Sequence, residues 1–313
     1  MMDKREFKTP ILFLIFNRPD TTQKVFDQIK RIKPKKLFIA ADGPRDNVLD
    51  DYEKCMFSRR IIDQIDWECE VKTLFREKNL GCGMAISSAI SWFFDNVEEG
   101  IILEDDCVPD MTFFYFCQIL LEKYRFEKRV MMITGTSYFF NKVKKDYDYF
   151  FSKYYAIWGW ATWKRVWKKY DFELNDWKQS KYQRMKELKQ IFRKASIVEY
   201  WKGNFDAIVN KRIDAWGLQW CYTCIFNNGF SITPLYNLIS NIGKVGVHTK
   251  SPGPFFRMPI KSLNLHSLCG PDVLKENRLL DKIIYKKVGV IKPFSFKNFS
   301  KNILRKVYFS LRG

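Results

Sequence analysis

Four short, largely apolar runs at residues 11–16, 37–41, 71–75 and 101–103 each stop on polar residues, and the stretches between them carry helical spacing. The first, Ile-Leu-Phe-Leu-Ile-Phe, is apolar at every position, so it has no solvent face and reads as a strand buried on both sides. Pro19 and Asp20 then open a helix in which Val25, Phe26 and Ile29 recur at helical intervals until Pro34 ends it. A second helix is expected over 52–65 with Met56, Phe57, Ile61 and Ile62 turned inward, and a third through Trp92 and Phe93. This alternation predicts an α/β fold with a mostly parallel central sheet flanked by helices. Further on, the pattern gives a helix over 113–124, strands at 130–133, 230–233 and 237–239, and a polar loop over 142–149.

The 313 residues suffice for one large α/β unit. We divide it into a nucleotide-side half (1–141), a helical, Trp-rich acceptor-side half of the same domain (142–270) and a basic, aromatic tail (271–313). Lys and Arg outnumber Asp and Glu by 54 to 35, and the net charge of +19 calls for an anionic partner: nucleic acid, an acidic membrane surface or a phosphorylated substrate. Residues 282–313 interleave Lys292, Lys297 and Lys301 with Phe294, Phe296 and Phe299, a texture suited to lying on an anionic bilayer. No apolar run approaches the ~20 residues of a spanning helix, and the opening residues are charged without a secretory core. A cytoplasmic protein, peripheral on the inner face of the membrane, is the expectation. The eight irregularly spaced cysteines read as free thiols. Cys221 and Cys224 form a C-x-x-C pair with no second pair to complete a zinc site, and fit a buried helix beside Trp220.

Open α/β sheets bind ligands at the carboxyl ends of their strands. Four polar signals fall there: Phe16-Asn17-Arg18-Pro19, Asp42-Gly43, the stretch from Arg76 to Gly83, and Glu104-Asp105-Asp106. Three successive carboxylates repel one another unless cations offset them. Oxygen donors without a His or Cys cluster suit Mg²⁺ or Mn²⁺ bridging a substrate phosphate, with Asp106 or Asp105 on the metal and Glu104 facing a ligand hydroxyl. The first turn lacks the glycine cluster of a dinucleotide fold, and no phosphate-binding G-x-x-x-x-G-K-[ST] loop occurs.

The order of these four signals, with Glu104-Asp105-Asp106-Cys107-Val108-Pro109-Asp110 leading into Phe113-Phe114-Tyr115-Phe116, resembles a nucleotide-sugar-dependent glycosyltransferase of the GT-A fold. Within that fold it is most similar to the mannosyl-glycoprotein N-acetylglucosaminyltransferase type and its bacterial relatives. The resemblance implies that Asp106 is the direct Mn²⁺ ligand, with Glu104 and Asp105 beside the nucleotide-sugar. It places Asp42 and Arg76 on the base and ribose, with Phe16, Asn17 and Arg18 lining the same pocket. It sets Trp158-Gly159-Trp160 against the donor sugar and His248, in the loop from Gly243, near the diphosphate or metal. Asp214, ahead of Trp216, takes the place of the catalytic base, with alanine where the family often has a second acid. The residues alone leave Asp214 open between base and helix N-cap, and Trp158 and Trp160 read as pocket walls. Trp163 and Trp167, four apart, read as one packed helix face. His266 reads as a solvent-facing or hydrogen-bonding residue.

The function this implies is metal-dependent, inverting transfer of a sugar from a UDP-linked donor to a hydroxyl of a surface glycan or glycolipid. A nucleotidyltransferase acting on a sugar phosphate uses similar carboxylates and is the first alternative. A basic nucleic-acid-binding protein is the second. It is disfavoured because the acidic cluster would repel a phosphate backbone and no recognition helix or zinc finger is present.

Overall fold

The computed structural model describes residues 6–139, 147–243 and 255–291. β1 (Ile11–Ile15) is buried at every position, as its unbroken apolar run requires. α1 (Pro19–Ile32) starts on its proline and buries Val25, Phe26, Ile29 and Ile32. Lys33, in the left-handed region, ends it one residue before Pro34. β2 (Lys36–Ala41) follows, then α2 (Asp51–Arg59), which tightens into a 3₁₀ turn at Arg60–Gln64. Here the inward face differs from the expected one. Met56 and Phe57 are exposed, and the small Cys55 and Ser58 face the interior with Asp51.

β3 (Glu70–Phe75), α3 (Cys82–Asn96) and β4 (Glu99–Glu104) complete the first unit. β5 (Cys107–Pro109), α4 (Met111–Lys123) and β6 (Val130–Thr134) come next. The second half then adds β7 (Tyr149–Ser152), β8 (Trp160–Trp163), α5 (Lys164–Trp167), α6 (Asn175–Ile191), α7 (Ala195–Val209), α8 (Gly217–Phe226), β9 (Phe230–Pro234), β10 (Ile239–Asn241) and α9 (Arg278–Lys287). Eight strands form one sheet in the order β3-β2-β1-β4-β8-β6-β9-β7. β3, β2, β1 and β4 run parallel, as do β6 and β9, whereas β8 and β7 are antiparallel to their neighbours. β5 and β10 pair separately as a small antiparallel ribbon. The fold is thus the expected mostly parallel α/β sheet flanked by helices.

Three local expectations change. Tyr149, expected in a polar loop, begins β7; residues 140–146 of that loop lie outside the described residues. Trp163 ends a strand and Trp167 ends the helix after it, so they share the core without sharing a helix face. The span from 271 does not begin as a tail. α9 docks through buried Leu280, Ile284 and Tyr285, and its Asp281 accepts hydrogen bonds from Ser152 Oγ (2.5 Å) and the Lys153 N–H (2.9 Å). Residues 292–313, which carry most of the expected membrane-facing chemistry, lie outside the described residues. All eight cysteines are unpaired, and Cys221 and Cys224 are buried on α8 with thiols pushed up by burial. His266 is exposed in a 3₁₀ turn. Among the described residues no helix is long and apolar enough to cross a membrane.

Candidate active site

The carboxyl ends of β1, β2 and β4 open into a cleft of about 1140 Å³ whose opposite wall comes from residues around Asp214, Asn241 and Phe255. Its floor is the acidic turn after β4. Arg18, just before α1, lays its guanidinium across two of the three carboxylates, with Nη1 2.8 Å from Asp106 Oδ2 and Nη2 on Asp105 Oδ1. The Phe16 N–H donates to Asp105 Oδ2 at 3.2 Å. From the second half, Asn241 Nδ2 donates to Asp106 Oδ1 at 3.3 Å, and the Ile242 N–H to the Asp106 carbonyl at 2.8 Å. Gly243 lies so close that a β-carbon there would overlap Asp106 Oδ2. Pairing of β10 with β5 sets this approach.

Among the described residues, one guanidinium faces three acids. Burial, then the charge of Asp106, pushes the Glu104 carboxyl above the usual range, against the pull of Arg18. Burial likewise pushes Asp105 up, with Arg18 opposing. Burial would lower the Arg18 pKa, but the two aspartates outweigh it and hold the guanidinium above its ordinary value.

Asp42, at the end of β2, is held differently. Its carboxylate accepts from the backbone N–H groups of Gly43 (3.0 Å) and Leu80 (3.0 and 3.1 Å), which fold residues 79–81 over the strand ends. Burial pushes its carboxyl up, and these N–H groups oppose the shift. Arg76 also lines the cleft and donates to Ser88 Oγ at 2.8 Å.

Asp214 sits between α7 and α8. It does not cap α8, whose N-cap is Trp216 and has no side-chain cap bond, so the N-cap reading of its own helix fails. Its Oδ1 instead accepts the Gly83 N–H at 3.0 Å, in the first turn of α3. Gly81, at φ +80°, turns the chain into that helix where a residue with a side chain would be strained.

The cleft therefore brings together Phe16, Asn17, Arg18, Asp42, Arg76, Glu104, Asp105, Asp106, Trp158 and Asp214. Trp160 is a correction: it is fully buried on β8, stacked on Trp216 at 5.6 Å and 5.1 Å from the Trp220 ring, and Gly159, at φ +59°, turns the chain between it and Trp158. Gly159 is absent from the lining as well, covered by Ile239 and Leu103. His248 lies outside the described residues. Sequence reasoning missed Arg45 and Asp51. Buried Asp51 binds the Arg45 Nε at 2.8 Å and Nη2 at 2.9 Å, and also the Asn17 amide, so it orients both on the cleft wall. It also missed Asn241 and the Phe255-Phe256-Arg257 wall. The proximity of Gly43, Arg45 and Asp51 after β2 was the one available signal.

The donor set fits a hard divalent ion in its chemistry: all oxygen, in carboxylate excess over Arg18, and open to a cleft. Among the described residues no three side chains close a metal cage. Mg²⁺ and Mn²⁺ commonly take one or two carboxylates and complete their shell with substrate phosphate and water.

No protein-family model and no curated protein matches the chain. Among solved structures it is similar to S. aureus TarS residues 1–349 (9% identity, TM-score 0.36), covering 53% of this chain and 51% of that one. It is also similar to HddC from Yersinia pseudotuberculosis (10%, TM-score 0.33; 54% and 86%) and to the inositol-1-phosphate CTP transferase from T. maritima (9%, TM-score 0.31; 51% and 73%). This chain thus spans about half of the TarS segment. At these scores no functional statement rests on the likeness.

Proposed function

We propose that the protein is a nucleotide-sugar-dependent transferase, and specifically an inverting glycosyltransferase that moves a sugar from a UDP-linked donor to a hydroxyl of a surface glycan or glycolipid. The observation that carries this reading is the convergence of carboxylates from both halves on one cleft: Asp42 and residues 104–106 from the first, Asp214 from the second. Asp42 and Arg76 would hold the nucleoside, and Asp106 would hold Mn²⁺ or Mg²⁺. When bound, that ion would neutralise charge developing on the departing diphosphate. Asp214 would accept the proton of the acceptor hydroxyl as its oxygen bonds to the anomeric carbon. The bond from that carbon to the phosphate oxygen breaks, and its electron pair leaves with the nucleoside diphosphate. No protein nucleophile is needed for one inverting displacement. Exposed Lys282 and Lys286 on α9 precede residues 292–313 and support an anionic membrane face, on the cytoplasmic side, as the place of action.

A screen of nucleotide-sugars with Mn²⁺ or Mg²⁺, read by donor hydrolysis and thermal stabilisation, tests the reading. Stabilisation and slow hydrolysis with a UDP-sugar are expected. Pyrophosphate release from a nucleoside triphosphate and a sugar phosphate would replace it with nucleotidyl transfer.

A further inference from the structure

Residues 81–83 present two glycines to one carboxylate. A β-carbon on Gly81 would come 2.8 Å from Asp214 Oδ2; one on Gly83 would overlap Oδ1 and reach 3.0 Å from the Ala215 carbonyl oxygen. α3 has no side-chain cap from its own N-cap, which is Gly81. The cap comes instead from Asp214, 131 positions along the chain, through the Gly83 N–H at 3.0 Å. Asp214 stands in a loop between helices and does nothing for α8.

We infer that Gly83 is a positioning residue for Asp214: its N–H fixes one carboxylate oxygen, and its missing side chain admits the acid to the cleft. This rests on the reading of Asp214 as the base. A free N–H at a helix start is the natural partner of a carboxylate. Binding one oxygen also sets the plane in which the other meets the acceptor hydroxyl, and proton transfer depends on that geometry. The same loop carries the Leu80 N–H that binds Asp42, so one short segment sets both the donor-side and the acceptor-side carboxylate.

The test is Gly83→Ala, alone and combined with Asp214→Asn. A role confined to α3 predicts normal turnover, whatever the crowding against the Ala215 carbonyl does to the melting temperature. Positioning predicts a kcat lowered at least ~10-fold, donor affinity within about threefold, and no further loss when Gly83→Ala is added to Asp214→Asn, because both changes then act on one group. Normal kcat in Gly83→Ala beside a disabled Asp214→Asn overturns the inference and leaves the base reading standing. Normal kcat in Asp214→Asn overturns the base reading itself. A further drop in the double variant shows that Gly83 acts elsewhere and also overturns the inference. Should Gly83→Ala fail to fold, amide exchange at Gly83 decides: it should quicken at least ~10-fold in Asp214→Ala, the capping bond being gone, and an unchanged rate refutes the contact.

Discussion

The carboxylates around the cleft are held in two ways. Asp105 and Asp106 lie against Arg18, and Asp51 lies against Arg45; Asp42 and Asp214 are held by backbone N–H groups and, among the described residues, join no ion pair. A carboxylate bound to a guanidinium has its charge answered by the protein. One bound to N–H groups is aimed by dipoles, with no ion-pair partner among the described residues. The arginine-held set itself divides: Asp51 and Arg45 match one to one, whereas the acidic turn sets three acids against Arg18. The matched pair shapes a wall. The acidic turn has more acids than basic partners among the described residues.

The largest effect should come from breaking the backbone-held set. Asp214→Asn keeps a hydrogen-bond acceptor for the Gly83 N–H but cannot take a proton usefully near neutral pH. Transfer at saturating substrates should fall ~10²–10⁴-fold, with donor affinity within a few-fold and the melting temperature retained. Near-normal transfer would remove the distinction between Asp214 and an ordinary loop acid.

Next comes the unmatched cluster. Calorimetry with UDP should show affinity that requires Mn²⁺ or Mg²⁺, and Asp106→Ala should weaken it on the order of 100-fold, one metal-phosphate contact being worth several kcal/mol. Equal affinity in chelator would mean that Arg18 already answers the turn. Arg18→Met probes the same point from the other side. Removing the only guanidinium that the described residues place beside buried Asp105 should cost about 2 kcal/mol of stability, discounted because Arg18 is itself partly exposed. Added Mn²⁺ should restore more stability to this variant than to wild type. Equal restoration would separate the ion from the acidic turn.

Much of this contrast was legible in sequence, and the boundary has physical causes. Asp42 and Glu104-Asp105-Asp106 stood out because buried parallel strands are continuous apolar runs, so a carboxylate at their end is conspicuous. Asp51 did not, since its meaning lies in a fold-back of the preceding loop onto Arg45 and Asn17. Asn241 and Gly243 reach Asp106 only through the β5–β10 ribbon, a pairing that local pattern does not encode. Trp163 and Trp167 satisfied a helical spacing that the sheet overrode. Met56 and Phe57 show that apolar periodicity finds a helix without deciding which side closes on the body.

The smallest effect should come from the matched pair. The Arg45 hydrogen bonds, with help from the Asp51-facing Arg45 N–H and Asn17, hold the Asp51 carboxyl down to about 2, against 3.8 ordinarily. Between those values the unfolded chain binds more protons than the folded one. The pair's contribution is therefore present above about pH 4 and lost as pH falls toward 2, a change of about 2 kcal/mol at most. Acid titration of stability should show a shallower slope in Asp51→Asn than in wild type. Identical slopes would mean that Arg45 does not hold Asp51 in solution.

One feature of the sheet governs how such a protein can be cut or recombined. β4 and β6 both come from the first 141 residues yet do not touch; β8 runs between them, pairing Trp160 with Ile102 on one side and Thr134 on the other. A fragment ending at residue 141 would leave two bare strand edges facing a gap, an invitation to aggregate. Exchanging the second half for that of another protein would have to import a strand that fits this slot. Variation is therefore more readily introduced by changing loops than by trading halves.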